Sequence, residues 1–208
     1  GVITTETRFG CPGGYRVGNI FVHCHAHASP VEVRTAVAVS CNTFYCQTFR
    51  AIIDNNKYAA TELAFDKWRD YVLSFGIGKK IDVDMPHELR GNVPSVEYYN
   101  KFFGKGRWKS STIISLAIGQ GELGITPLQM ANAACIVANK GFYYVPHVVR
   151  EIGSKHYLPE HFKTKNYTKV DTRYYDAIQD GMQWTFERGT ARGSKVDSLV
   201  ICGKTGTA

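Results

Sequence analysis

Hydrophobic residues recur at three- and four-residue intervals over four stretches of the chain, the spacing that lays them along one face of a helix. The first opens at Ser29-Pro30-Val31-Glu32, where Ser29 suits an N-cap, Pro30 the first helical position and Glu32 a capping box. A helix is expected from about Pro30 to Ile53, with a break between Ser40 and Thr43, where polar side chains interrupt the apolar run RTAVAVSCNTFYCQTF. A second is expected from about Thr61 to Phe75, with Leu63, Trp68, Val72 and Phe75 near helical spacing and Gly76 at the stop. A third starts at Pro127 under a Thr126 cap and stops at Gly141, presenting Leu128, Ala131, Cys135, Val137 and Ala138 to a core. The last runs from about Tyr174 to Arg188 and ends at Gly189.

Shorter continuous apolar runs read as strands: Ile113 to Ile118, the stretch YYVPHVVREI with Pro146 inside it, and SLVICGKTGTA at the C-terminal end. Residues 1–28, punctuated by Gly10, Gly13, Gly14 and Gly18, and most of residues 77–110 read as loop. The pattern is mixed, of the α+β class.

Composition narrows this picture modestly. With 208 residues, 44% of them hydrophobic, the chain can bury a real core. No stretch approaches the roughly 18 consecutive apolar residues of a membrane span, and GVITTETRFG lacks the basic-then-apolar order of a signal peptide. The net charge of +7 comes from 25 basic residues scattered among 18 acidic ones, so the field favours anionic surroundings without specifying them. The densest basic patch, NKFFGKGRWKSS, interleaves Lys101, Lys105, Arg107 and Lys109 with Phe102, Phe103 and Trp108. Such interleaving can bind single-stranded nucleic acid, but a solvated loop anchored by buried aromatics is the commoner use, and no nucleic-acid partner is expected. Six cysteines spread from Cys11 to Cys202 do not make a disulfide scaffold.

Candidate chemistry sits at two places far apart in sequence. In GKTGTA, Gly206 has no Cβ and lets a ligand backbone approach, Lys204 supplies positive charge, and Thr205 and Thr207 offer hydroxyls to a carboxylate. Taken alone the motif is weak, because common polar residues at a strand-to-turn junction are ordinary. Upstream, Ser40 and Asn42 place two polar side chains inside an apolar helical run, where each needs a partner. A serine bonded back to its own helix and a satisfied asparagine would also account for them.

Together S-x-N and K-T-G are two of the three signature motifs, S-x-x-K, S-x-N and K-T-G, of the penicillin-recognising serine acyltransferases. With SCNTFY, GQGELGITPLQMANA and GKTGTA in this order, the whole chain resembles the transpeptidase domain of class B penicillin-binding proteins, of the penicillin-binding protein 2 type. The resemblance implies the penicillin-binding-protein and serine β-lactamase-like fold, here a helical subdomain plus part of an antiparallel sheet within a single partial domain over residues 1–208. No serine or threonine is followed three residues later by lysine, so S-x-x-K is absent. In the family that motif precedes S-x-N, so the nucleophile is expected upstream of Gly1 and the sheet is expected to continue beyond Ala208, in a fragment cut at both ends that is inactive alone.

The implied activity is peptidoglycan cross-linking: a serine acylated by the penultimate D-Ala of a stem peptide passes the acyl group to an amine, and β-lactams acylate the same serine. In these roles Ser40, Asn42 and Lys204 are catalytic, with Ser40 relaying a proton to the leaving amine, while Thr205, Gly206 and Thr207 bind substrate. The Thr207 N–H would form half of the oxyanion hole. The alternatives are a D-Ala-D-Ala carboxypeptidase or β-lactamase-type hydrolase, and a non-catalytic β-lactam-sensing module. The resemblance further implies a glycan-polymerising partner and a location at the periplasmic face of the inner membrane, held by an N-terminal anchor absent from these residues.

No cofactor or metal is expected. The segment CPGGYRVGNIFVHCHAHAS nevertheless holds Cys11, His23, Cys24, His25 and His27, all zinc-ligand types, at a spacing that matches no recognised finger. Some penicillin-binding proteins 2 carry zinc in this region. Cys11, Cys24 and His27 are the candidates for a metal, a Cys11–Cys24 disulfide is the other way of linking them, and unlinked side chains are the simplest reading.

Overall fold

The computed structural model describes residues 2–206. In chain order the elements are β1 (Gly14–Val17), β2 (Ile20–His23), α1 (Val33–Val39), α2 (Asn42–Ile53), α3 (Thr61–Leu73), α4 (Val96–Phe103), α5 (Pro127–Ala138), β3 (Phe142–Tyr143), α6 (Glu160–Lys163), β4 (Asn166–Tyr167) and α7 (Tyr175–Glu187), with a 3₁₀ turn over Ile114–Ile118. Helices and small antiparallel sheets thus combine as the α+β reading requires. The chain folds into two compact units, one of residues 1–68, 95–121 and 176–208, the other of residues 69–94 and 122–175.

In the first unit the expected long helix is two helices, broken where the apolar run turns polar. Ser40 takes the left-handed conformation (φ 55°, ψ 47°) at the end of α1, and Cys41, extended, caps α2 by accepting from the Phe44 N–H. The start of α1 differs from expectation: Glu32 is the N-cap, its carboxylate accepting from the Arg34 and Thr35 N–H groups. The Ser29 hydroxyl instead accepts from the Cys11 N–H at 2.8 Å and ties the N-terminal loop to this corner. Residues 1–28 are not wholly irregular, since β1 and β2 pair as a hairpin with Gly14 opposite His23 and Val17 opposite Ile20.

The core of this unit is aromatic. Phe65 on α3 packs against Trp68, Tyr99 and Trp108 with centroid separations of 5.6, 5.4 and 5.4 Å, and Trp68 meets Phe49 of α2 at 5.3 Å. Trp108 satisfies its indole N–H on Asn100 Oδ1 at 2.8 Å, so its burial leaves no orphaned donor. Helix α4 lies within the stretch expected to be loop; Ser95 caps it by accepting from the Tyr98 N–H at 3.2 Å. The apolar run expected as a strand from Ile113 to Ile118 is instead a 3₁₀ turn over Ile114–Ile118, with Ile113, Ile114 and Leu116 buried.

Helix α7 lies close along α1. A Cβ at Gly181 would sit 2.7 Å from Val37 Cβ, and one at Gly189 would sit 2.2 Å from the Ala38 carbonyl oxygen, so both positions exclude larger residues. Arg34 Nε donates to Asp180 Oδ2 at 2.9 Å across the same contact. The terminal segment then runs back beside α7, with the Gly203 N–H donating to the Met182 carbonyl at 3.1 Å. SLVICGKTGTA is not a strand over its described residues: no strand among the described residues lies beside it, and a strand exists only through its ladder partner.

In the second unit, Ile81, Ile136, Tyr143 and Tyr175 form the core. The helix expected from Pro127 is present with a full capping box between Thr126 and Gln129. Gln129 is buried, and its amide nitrogen bonds the carbonyls of Gly76, Lys79 and Arg90 at 3.0, 3.2 and 3.0 Å. That explains a glutamine at a core position: one side chain satisfies loop carbonyls that would otherwise be buried alone. Of the expected strand YYVPHVVREI only its first residue, Tyr143, lies in a strand, pairing with Asn166 beside Phe142 and Tyr167, and Ile152 makes an isolated bridge to Tyr157; Pro146 has no N–H, and the Val148 and Val149 N–H groups donate to Asp84 instead of a ladder. Among the described residues no helix is long and apolar enough to cross a membrane.

Candidate active site

The break between α1 and α2 decides the geometry of the site. Because Ser40 is left-handed, its side chain leaves the helix face and points into a cleft of ≈ 660 Å3 that Asn42, Lys204, Thr205 and Gly206 also line. A non-glycine residue in this conformation costs on the order of 1–3 kcal/mol and persists where surrounding structure enforces it. Here the Ser40 N–H to Val37 bond and the Cys41 N–H to Ala36 bond hold it.

Lys204 donates its ammonium to the Ser40 hydroxyl and, at 2.9 Å, to the Thr205 carbonyl. Burial lowers its pKa below the ordinary lysine value, because a partly desolvated ammonium is less favourable than the free amine. The Thr205 hydroxyl lies 3.4 Å from that of Ser40. Asn42, the first residue of α2, donates from Nδ2 to the His23 carbonyl at 2.7 Å, which orients its amide at the cleft wall. The lining contains a lysine and a histidine and, among the described residues, no carboxylate. Its field therefore suits an anionic ligand. Thr207, expected to bind substrate and to supply an oxyanion N–H, lies outside the described residues.

Further contributors were not assigned to the cleft from the sequence. Thr190 stands 2.7 Å from the Thr205 hydroxyl and donates its N–H to the Ala38 carbonyl at 3.0 Å, linking the loop after α7 to both motifs. The preceding Gly189, which cannot carry a side chain beside Ala38, is the signal that could have pointed to it. Gly119 and Gln120 line the cleft as well, so the stretch GQGELGITPLQMANA reaches the site at its first residues. His25, read as a zinc-ligand type, faces this cleft instead.

Beneath S-x-N the structure gathers Cys11, Cys24 and His27 with Cys41, the middle residue of the motif, their ligand atoms all within 4.8 Å of one another. All six cysteines are free thiols. His27 Nδ1 lies 2.7 Å from the Ala28 carbonyl and therefore carries the proton. Its Nε2, buried, has no hydrogen-bond partner among the described residues. An unprotonated imidazole nitrogen and three sulfurs at this spacing fit the donor set of a tetrahedral structural zinc site. The buried Thr43 supports the cluster, its hydroxyl 3.2 Å from Cys11 Sγ and 3.5 Å from Cys24 Sγ. Burial would raise the Cys11 pKa, but hydrogen bonds from Thr43, Cys24 and the Gly13 backbone outweigh it and bring it to about 7. Cys41, more deeply buried, is pushed up to about 12. Cys41 escaped the sequence reading because an apolar helical run is the ordinary place for a buried cysteine.

The model of the penicillin binding protein transpeptidase domain family matches residues 1–208. The chain belongs to that family. It is 32% identical to the peptidoglycan D,D-transpeptidase MrdA of Acinetobacter baumannii over 181 residues, covering 86% of this chain and 25% of that protein. Its structure is similar to that of Pseudomonas aeruginosa penicillin-binding protein 2, with a TM-score of 0.75 and 27% identity over 93% of this chain and 41% of the other. Penicillin-binding protein 2 of Helicobacter pylori, solved in complex with MreC, shares the fold at a TM-score of 0.77 and 23% identity, covering 99% of this chain and 36% of that one. The 208 residues thus span about a quarter of the length of the MrdA relative.

Proposed function

We propose that the protein carrying this chain is a peptidoglycan D,D-transpeptidase, and that the cleft between Ser40 and Thr205 holds the D-Ala-D-Ala end of a stem peptide. The observation that carries this reading is the Lys204 ammonium donating to the Ser40 hydroxyl from 164 residues away, with the Thr205 hydroxyl beside them. A serine upstream of these residues attacks the penultimate D-Ala carbonyl. The C–N bond to the terminal D-Ala breaks, and Ser40 passes the nucleophile's proton to the departing amine. An amine from a second stem peptide then displaces the serine and releases the cross-linked product.

In this scheme Lys204 keeps the Ser40 hydroxyl polarised, and its charge together with the Thr205 and Thr207 hydroxyls receives the terminal carboxylate. Gly206, without a side chain, admits the peptide backbone beside it. Asn42 bonds the substrate amide, and the Thr207 N–H stabilises the oxyanion. β-Lactams use the same contacts. Zinc held by Cys11, Cys24, His27 and Cys41 would have a closed ligand shell, so its contribution would be structural. Those residues would pin the N-terminal hairpin to the S-x-N corner and hold Ser40 and Asn42 in place. A related structure, 27% identical and described as a peptidoglycan synthase complex that coordinates polymerization and crosslinking, supports a glycan-polymerising partner, and a peptidoglycan substrate is consistent with a site of action outside the cytoplasm.

The test is to supply the intact protein with a pentapeptide donor and an amine acceptor and to follow D-Ala release and cross-linked product. Ser40→Ala should lower both by about 10²- to 10⁴-fold. Undiminished turnover by that variant would overturn the assignment.

A further inference from the structure

We propose that the end of α4 and the turn after it, residues 98–109, form a docking surface for an anionic lipid bilayer. Between Tyr98 and Thr112 the chain carries Lys101, Lys105, Arg107 and Lys109 and no acidic residue. All four basic side chains are exposed, and none makes an ion pair among the described residues. Beside them Phe102 is 64% exposed and Phe103 44% exposed. Phenylalanine is ordinarily a buried residue, and here two stand exposed on a helix of eight residues.

The surface is held rigidly. Directly behind it Tyr99 and Trp108 are fully buried against Phe65. Gly104 at φ 88° and Gly106 at φ 73° shape the turn, and the Gly106 N–H donates to Glu62 Oε1 at 2.8 Å. That bond fastens the turn to α3. Tyr98 packs against Phe102, the rings tilted and their centroids 4.7 Å apart. Two exposed phenylalanine rings at the end of α4 are therefore accompanied by four exposed long cationic side chains within nine residues of sequence.

Charge complementarity and ring chemistry select the occupant. Phenylalanine offers no hydrogen bond with which to read a polar protein partner, whereas its ring partitions into the acyl boundary while lysine and arginine remain among anionic headgroups. Nucleic acid would be held better by rings lining a cationic groove, and the cleft at Ser40 and Lys204 is lined by other residues.

The test is co-sedimentation of the 208-residue chain with vesicles of phosphatidylcholine plus phosphatidylglycerol, against phosphatidylcholine alone and against a fluorescent oligothymidylate. The chain is expected to sediment with the anionic vesicles only, and to be released by salt. Lys101→Glu/Lys105→Glu/Arg107→Glu and, separately, Phe102→Ser/Phe103→Ser should each lower the bound fraction by at least about tenfold, with circular dichroism unchanged because every substituted side chain is exposed. Equal sedimentation with neutral vesicles, no sedimentation at all, undiminished binding by the folded variants, or binding to the oligonucleotide in place of vesicles would each overturn the proposal.

Discussion

Lys204 and Ser40 meet by a direct hydrogen bond although 164 residues separate them, and each arrives there for its own physical reason. Ser40 is thrown out of a helix by the left-handed break at the end of α1, and Lys204 is carried in by a segment anchored on α7 through Met182. Neither residue depends on the other for its position, so the pair can be perturbed from one side without collapse of the fold.

Ser40→Gly separates stability from chemistry. Glycine removes the left-handed penalty, so the variant should be about 1 kcal/mol more stable by denaturant unfolding. It also removes the hydroxyl that Lys204 polarises, so acylation by a labelled penicillin in the intact protein should fall by about 10²-fold or more. A variant both less stable and fully reactive would contradict the geometry described above.

Thr190 acts on the site through Thr205. Thr190→Val keeps the volume and the backbone bond to Ala38 but deletes the hydroxyl 2.7 Å from Thr205. Loss of one neutral hydrogen bond corresponds to about 1 kcal/mol, a several-fold rise in the donor-peptide KM. Thr190→Ser should restore the parent value, which a change of packing alone would not allow.

The thiol cluster gives a pH-dependent signature in metal-free protein. With its pKa brought to about 7, Cys11 is protonated and slow below that pH and a thiolate above it, so its alkylation rate should rise through pH 7 and level off. Cys41, pushed up to about 12 and buried, should react last. Mass spectrometry of timed iodoacetamide labelling distinguishes the two sites. Added zinc should suppress labelling of Cys11, Cys24 and Cys41 together, and His27→Ala should weaken that protection.

Trp108 tests the aromatic core independently of catalysis. It is 1% exposed and bonded to Asn100, so Trp108→Ala should cost about 3–5 kcal/mol in unfolding free energy.

What the sequence disclosed and what it hid follow from the same physics. The break at Ser40 was legible because two polar side chains in an apolar run have nowhere to go inside an unbroken helix. The Thr126 cap and Pro127 start were legible because their signals are local. The 3₁₀ turn over Ile114–Ile118 was not, since a short fully buried run has no period with which to separate it from a strand. Helix α4, only eight residues long and set in a stretch rich in glycine and proline, was missed although Pro94-Ser95 before it carried a usable start signal. Cys41 and Thr190 belong to the site only through tertiary contacts, with ligands 14 or more residues away in the first case and a partner across a loop in the second.

The central claim is that Ser40 and Lys204 serve an acyl transfer whose nucleophile is a different serine. Its most direct test is to treat the intact protein with a labelled penicillin, digest it and locate the adduct by mass spectrometry. The account predicts a single labelled serine upstream of residue 1, lost in Lys204→Ala and strongly reduced in Ser40→Ala. An adduct on Ser40 itself, or full labelling of the upstream serine in both variants, would contradict it.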